Sequence, residues 1–351
     1  MNSPATGNGN SDLHEIKLFT GFITVVIMVV ILMELRNIFL PLCMAILLYF
    51  LFNGVVRKLQ SFKIPSPIVL IFVLIFIFIL FYFLGVLIYA GTSSFIDKFP
   101  VYSKKVVQLV NELQAKIPNE GIQTYLKNID WTKSIDTSAI TSVIGTTFGN
   151  FTSFVGNLVL VLLFLMFMLA GRDSLTGRVN KAFAPGRATM IRGVINAIDD
   201  QVQHYLLIKT FISLMTGIIG GCILVAGGID FAIFSALLIF VLNFIPNFGS
   251  IIATLFPLLI GFLQYGFSLR VLLVLFGLML TQFIIGNVVE PKITGKSLNL
   301  SPIVILISLI FWGYIWGIVG MMLAVPLTSA LKIIFQNIPT LKPIAELISA
   351  D

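Results

Sequence analysis

Two interruptions in the apolar second half of the chain carry residues suited to handling a polar solute or an ion. The first is Leu242–Ser250, LNFIPNFGS, where Asn243, Pro246, Asn247, Gly249 and Ser250 break a run otherwise built of Ile, Leu, Val and Phe. Pro246 removes one backbone donor and blocks a carbonyl one turn earlier, and Gly249 permits a sharp turn. Amide and hydroxyl side chains beside freed backbone groups make a hydrogen-bonding surface for a small polar solute. The plainer alternative is a turn whose Asn side chains cap the ends of two half-helices, and the residue types allow both. The second interruption is Phe311–Gly320, FWGYIWGIVG, with Trp312, Tyr314 and Trp316 interleaved with Gly313, Gly317 and Gly320. Aromatic rings with polar edges can line a path for a small molecule, whereas glycines four residues apart let helices approach closely. Close packing at a turn is the preferred role for these glycines.

Between the two lies Asn287–Pro302, NVVEPKITGKSLNLSP, which puts Glu290 at the end of an apolar run with Lys292 and Lys296 nearby. Ionisable groups at membrane depth are expensive, so Glu290 is a candidate gate or ion-coupling residue. The plainer alternative, which the terminal position favours, is an interfacial Glu paired with Lys292 or Lys296. In Ala324–Lys332, AVPLTSALK, Thr328 and Ser329 follow Pro326 and can take up carbonyls that it frees.

Other chemistries are excluded by what the chain lacks. It holds no Walker lysine motif, no metal-ligand cluster, and no nucleophile with a base and an orienting group. His14 and His204 are isolated, and Cys43 and Cys222 each sit in an apolar run, as packing residues do. The sequence therefore predicts no enzyme, no cofactor and no metal. Hydrophobic residues make up 58% of the 351 residues and charged residues 11%, with a mean hydropathy of +1.04. Soluble domains carry roughly 25% charged residues, so the surroundings of this chain are a lipid bilayer. The formal net charge of +7 is spread between apolar runs, as cytoplasmic loops require, and it does not form the aromatic-rich basic face of a nucleic-acid binder.

The elements that must position these residues follow from a ruler of about 20 apolar residues per crossing. A polar N-terminal tail (1–15) precedes spans at Ile16–Leu35, Ile38–Val56 and Pro67–Ala90, so 16–91 is a three-span unit whose first run reads as a retained anchor. Residues 92–150 are rich in Lys, Asp and Glu and read as a small extracytoplasmic helical segment. There Phe95, Phe99, Tyr102, Val106, Leu109 and Leu113 form a helical apolar stripe, fitted to self-association or to packing against the rest of this small outer domain. A fourth span covers 151–170. Residues 171–209 are basic, and their later part has the spacing of an amphipathic helix lying on the membrane face. The remaining core, 210–338, holds spans at Thr210–Gly227 and Phe267–Val289, then a short tail at 339–351. Two stretches fail the ruler: Phe231–Leu263 and Pro302–Phe335, at 33 and 34 residues, are too long for one crossing and short of the roughly 40 needed for two. Each reads as a broken-helix, re-entrant hairpin. The basic loops put both termini in the cytoplasm and 92–150 outside. The expected fold is an all-α integral membrane protein, a polytopic helical bundle whose C-terminal half resembles an inverted repeat.

The runs NFIPNFGSIIATLFPLL and GNVVEPKITGKSLNLSPIVILISLIFWGYIWGIVGMMLAVPLTSALKII resemble the autoinducer-2 exporter family, also called the PerM-type permeases. The resemblance covers roughly Ile16 to Ile338. Its specific elements fall on Ile245, Pro246 and Gly249, and on Glu290, Pro291, Gly295 to Leu298, Asn299, Leu300, Ser301 and Pro302. The resemblance implies a secondary transporter of bacterial inner membranes, homo-oligomeric and pentameric. It also implies one of two cargoes: the quorum-sensing signal autoinducer-2 in some members, and sodium or lithium exchanged for protons in others. The expectation is thus an exporter of a small polar solute, with a sodium(lithium)/proton antiporter as the alternative. A membrane assembly factor acting through residues 92–150 ranks last, because a scaffold needs no broken hairpins.

Overall fold

A computed structural model describes residues 9–116, 137–246, 248–294 and 299–350. Nearly all of them are helical: α1 (Gly9–Glu34), α2 (Arg36–Ser61), α3 (Ser66–Lys116), α4 (Thr137–Ala182), α5 (Pro185–Ala226), α6 (Ala232–Leu242), α7 (Phe248–Tyr265), α8 (Leu269–Ile284), α9 (Glu290–Thr294), α10 (Pro302–Gln336) and α11 (Lys342–Ile348). A π-helical turn, Ile285–Val289, joins α8 to α9. Six helices among the described residues are long and apolar enough to cross a bilayer. On α3, Ile71, Phe72, Ile75, Ile79 and Phe83 are exposed, where a water-soluble helix would carry charge. The protein is a multi-pass membrane protein.

The expected spans fall inside these helices, but the helices run further. The third span continues without a break to Lys116, and the fifth is continuous with the amphipathic segment before it, because α5 starts at Pro185 and meets no further proline. A change to polar composition alters what a helix faces without ending it. Of the expected outer region, residues 92–116 extend α3, 137–150 belong to α4 and 117–136 lie outside the described residues. Of the expected surface segment, 171–182 belong to α4 and 185–209 to α5.

Packing divides into two halves. In the N-terminal half, Ala45, Leu48, Val69, Val73, Ile77 and Leu165 join α2, α3 and α4 in one apolar cluster. In the C-terminal half, α5 presents Ser213, Gly217 and Gly221 at four-residue spacing to α6. A methyl group on Gly217 would lie 3.0 Å from the Ala236 carbonyl oxygen, and one on Gly221 would lie 2.8 Å from the Ala236 side chain. Apolar surface gives helices little reason to associate in lipid, so small residues that admit close contact take over that role.

Both long apolar stretches reverse direction. In the first, α6 spans only 11 residues, about 17 Å at helical rise, and the chain turns from Asn243 to Pro246. Its ends meet again: Gln264 Oε1 accepts from the Asp230 backbone N–H at 3.0 Å, and Tyr265 donates to the Gly228 carbonyl at 2.9 Å. In the second, α10 is broken at Gly317, whose φ of 63° and ψ of −143° leave the helical region for one open to glycine. A straight helix of this length would hold its ends about 50 Å apart. Here Lys332 Nζ donates to the Asn299 carbonyl at 2.5 Å, so the chain has come back to its starting point.

The two turns are built alike. A side chain on Gly249 would collide with the Leu242 carbonyl, and one on Gly320 with the Trp312 carbonyl. In each case the descending half-helix crosses the ascending one backbone against backbone. Gly249→Ala should therefore lower the melting temperature of the detergent-solubilised protein by several degrees. Gly193→Ala, at a helical glycine with open space around it, should leave it unchanged or slightly raised. Equal melting temperatures for the two variants would contradict the close crossing.

Candidate functional site

The residues singled out in the first interruption are only partly free to meet a solute. Asn243 caps α6 and is buried, and its amide donates to Ser213 Oγ of α5 at 3.1 Å. Pro246 lies in the turn, where its carbonyl accepts from Phe248 N–H at 2.7 Å, and Gly249 N–H donates to Ile245 at 3.1 Å. Ser250 is half-buried, and its carbonyl accepts from the Thr254 hydroxyl at 2.9 Å. Asn247 lies outside the described residues. The turn thus closes much of its own hydrogen bonding, and Asn243 with Ser213 forms a buried polar contact between hairpin and α5.

In the second interruption, Trp312 and Trp316 are buried with ring centroids 5.1 Å apart. The indole N–H of Trp316 donates to the Leu32 carbonyl of α1 at 3.1 Å, which occupies the polar edge that could have faced a solute. Tyr314 points the other way and is 76% exposed. Gly313 lies against the Met321 side chain across the turn. Pro326 is buried in the returning half. Of the two hydroxyls expected to take up a freed carbonyl, that of Ser329 is buried without a hydrogen-bond partner among the described residues. Ile245 from the first turn packs in one cluster with Leu309, Trp312, Ile315, Trp316, Leu323 and Ala324 of the second hairpin, so the turn of the first hairpin meets the second.

Glu290 has a partner that the sequence reading did not name. Its Oε1 lies 2.5 Å from Lys209 Nζ of α5, a lysine only 5% exposed. Lys292, expected as the partner, is exposed, and Lys296 lies outside the described residues. The π turn produces this pairing. Val271, Val274, Leu278 and Ile285 mark the buried face of α8, and an uninterrupted α-helix would next bring residue 288 or 289 to it. Instead Glu290 N–H bonds to the Ile285 carbonyl, five residues back, and the extra residue carries Glu290 round to face α5. Such π insertions recur at functional sites.

A second ionic cluster sits at the base of the first hairpin. Asp230 accepts from Lys98 at 2.8 Å and from the Tyr102 hydroxyl at 2.6 Å. Burial pushes the Asp230 carboxyl upward, but the hydrogen bonds from Lys98 and Tyr102 and the charges of Lys98 and Lys105 outweigh it and hold the group below the ordinary carboxylate range. Phe95 and Tyr102, two members of the apolar stripe, pack against Phe231. These contacts reach beyond 92–150 to the start of α6, a partner that neither expected role for the stripe includes. On the opposite side, Asp199 of α5 accepts from Arg57 at 2.8 Å and Asn53 at 3.2 Å, both on α2.

Lys209 left a faint signal in sequence, a cation flanked by Leu206, Leu207, Ile208, Phe211 and Ile212. Asp199 and Lys332 left less, since nothing local names a partner over a hundred residues away or across a turn. Among the described residues no group of three His, Cys, Asp or Glu is placed to hold a metal.

A multi-pass helical bundle with two reversing, broken helices and a half-buried ion pair beside them is an architecture that membrane transporters use. The family model for AI-2E family transporters matches residues 22–340, and the chain belongs to that family. It is 30% identical over 332 residues to the AI-2 transport protein TqsA of Escherichia coli (strain K12), covering 92% of this chain and 93% of the relative. A Borreliella burgdorferi protein, named provisionally as a transport protein, is 30% identical over 342 residues, or 95% and 92% of the two chains. The similarly named YueF of Bacillus subtilis (strain 168) is 26% identical over 324 residues, or 87% and 85%.

Removing one member of a buried ion pair strands the other in a poor solvent, whereas removing both does not. Lys209→Leu and Glu290→Leu should each lower the melting temperature more than the double variant does. A double variant as unstable as the sum of the two would indicate that the groups do not interact.

Proposed function

We propose that this protein is a secondary exporter of a small polar solute across the bacterial inner membrane. Its path follows α5, on which both hairpins pack, past the point where the first turn meets the second hairpin. The observation that carries this reading is the pair of oppositely based hairpins. The first has its base at Gly228–Asp230 beside Lys98 and Tyr102 of α3, the second at Asn299–Ser301 beside Lys332. With 92–150 outside and both termini in the cytoplasm, the hairpins are re-entrant from opposite faces, and their half-helices form an inverted repeat. Freed backbone groups are tolerated at that depth where they line a wet cavity or lie inside protein, and Asn243, Ser213 and Ser250 supply polar side chains there.

The name of TqsA makes autoinducer-2 the first cargo to test. Purified protein in liposomes should move labelled autoinducer-2, and Asn243→Leu should slow that flux roughly tenfold, as loss of a buried hydrogen bond with its partner left unmet implies. Unchanged flux in correctly assembled Asn243→Leu would remove Asn243 from the path. Assembly as a homo-oligomer, pentameric by the family resemblance, is part of the same proposal, although Phe95 and Tyr102 of the outer stripe are already engaged within the chain.

One observation favours a second reading, sodium(lithium)/proton exchange: the pairing of Glu290 with Lys209. A cation that displaces the lysine ammonium from the carboxylate would couple ion binding to movement of α8 against α5. This reading expects Glu290→Gln to abolish sodium-dependent proton movement in the same liposomes. Full sodium-dependent exchange in Glu290→Gln would end it.

A further inference from the structure

Where α10 reverses, a cavity of about 500 Å³ opens between the second hairpin and the start of α2. That volume is in the range of small-molecule sites, roughly 300–1,000 Å³. Its polar wall is Arg36, Asn37 and Asn157, its apolar wall includes Trp316, and its floor includes Gly313 and Gly317 at the helix break. Arg36 and Asn37 lie in the short connection between the first two expected spans, Ile16–Leu35 and Ile38–Val56.

The charge on this wall is uncompensated. Arg36 makes no ion pair or side-chain hydrogen bond among the described residues, and no Asp or Glu lines the cavity. Glu34, two residues earlier, is not part of the wall. Elsewhere the partnerships are the reverse: Arg57, Lys98 and Lys209 each hold a carboxylate. A guanidinium offers a planar fork of donors that fits a carboxylate or phosphate through two parallel hydrogen bonds. Two carboxamides beside it can donate to and accept from hydroxyls, and the exposed ring of Tyr314, which also lines the cavity, can cover a short carbon skeleton.

We propose that this cavity recognises a small hydroxylated oxyanion, with Arg36 holding the anionic group, Asn37 and Asn157 holding hydroxyls, and the Gly317 break forming part of the wall. The inference rests on the transporter reading and sharpens it, since the solute carried past the second hairpin is then anionic. Contact with Gly317 places the bound solute against the hinge about which the hairpin would bend.

Binding can be read apart from transport. In a Trp131→Phe background the only tryptophans are Trp312 and Trp316, so their fluorescence reports on this turn. The protein, in nanodiscs of phosphatidylcholine, is titrated with gluconate, lactate and inorganic phosphate, and with the neutral polyol sorbitol. The expected result is a saturable change with at least one anion and none with sorbitol. The affinity should fall roughly tenfold or more in Arg36→Gln, as loss of a charge-assisted hydrogen bond implies, and recover in part in Arg36→Lys. No saturable change with any of the three anions, or equal affinity in Arg36→Gln, overturns the proposal.

A phospholipid headgroup offers the same oxyanion chemistry. If phosphatidylglycerol in the nanodisc abolishes the anion response by competition, the cavity belongs to lipid and the solute assignment fails. Flux of the bound anion into liposomes separates this inference from the broader reading. Wild-type flux in Arg36→Gln removes the cavity from the path and leaves the transporter standing. Binding without any flux upholds the cavity and removes the transport reading.

Discussion

A peptide group that loses its helical partner inside a bilayer has no water to turn to, and this constraint shapes the C-terminal half of the molecule. Each interruption strands several donors and acceptors at once. The chain answers by folding each broken helix back on itself so tightly that Gly249 rests on the Leu242 carbonyl and Gly320 on the Trp312 carbonyl. The remaining needs are met across helices: Asn243 on Ser213, Trp316 on Leu32. Side chains that looked free to greet a solute are in several cases spoken for by the fold, and the polar groups left open lie beside the turns, on α2 and α4.

The seam on α5 depends on the same constraint. The first hairpin lies close against α5 because Gly217 and Gly221 leave room for Ala236 and Phe240 of α6, and Ser213 meets Asn243 at its turn. Larger residues would hold α6 away and leave Asn243 without its partner. Small residues on α5, polar residues in the turn and the reversal itself therefore stand or fall together. The π turn before Glu290 belongs to this system as well, because it alone brings the carboxylate round to the same helix.

Much of this was legible in the chain. Runs of 18 or more apolar residues located the spans, and Pro246, Gly249 and Gly317 located the breaks, because these residue types act on their own backbone. The family resemblance rested on the same short motifs. The lengths of α3 and α5 were not legible, since a polar stretch can be as helical as an apolar one. Nor were the partners of Glu290 and Asp230. An extra residue in one helical turn has no compositional signature, and Lys209 and Lys98 are 81 and 132 residues from the carboxylates they meet. Sequence reads short-range causes well, and this site is assembled from long-range ones.

The base of the second hairpin is tied from several sides at once. Leu300 and Ser349 form an antiparallel bridge, Ser301 N–H bonds to the Ile348 carbonyl, and Ala350 N–H and Lys332 both reach the Asn299 carbonyl. Residues 299 to 350 are in mechanical terms a loop of rope knotted where it begins. A force applied to the C-terminal helix is passed directly into the hairpin's root, and a displacement at the Gly317 turn must be absorbed within the loop or carried into the knot. The short tail at 339–351 is the handle by which the neighbouring hairpin can be held still or moved.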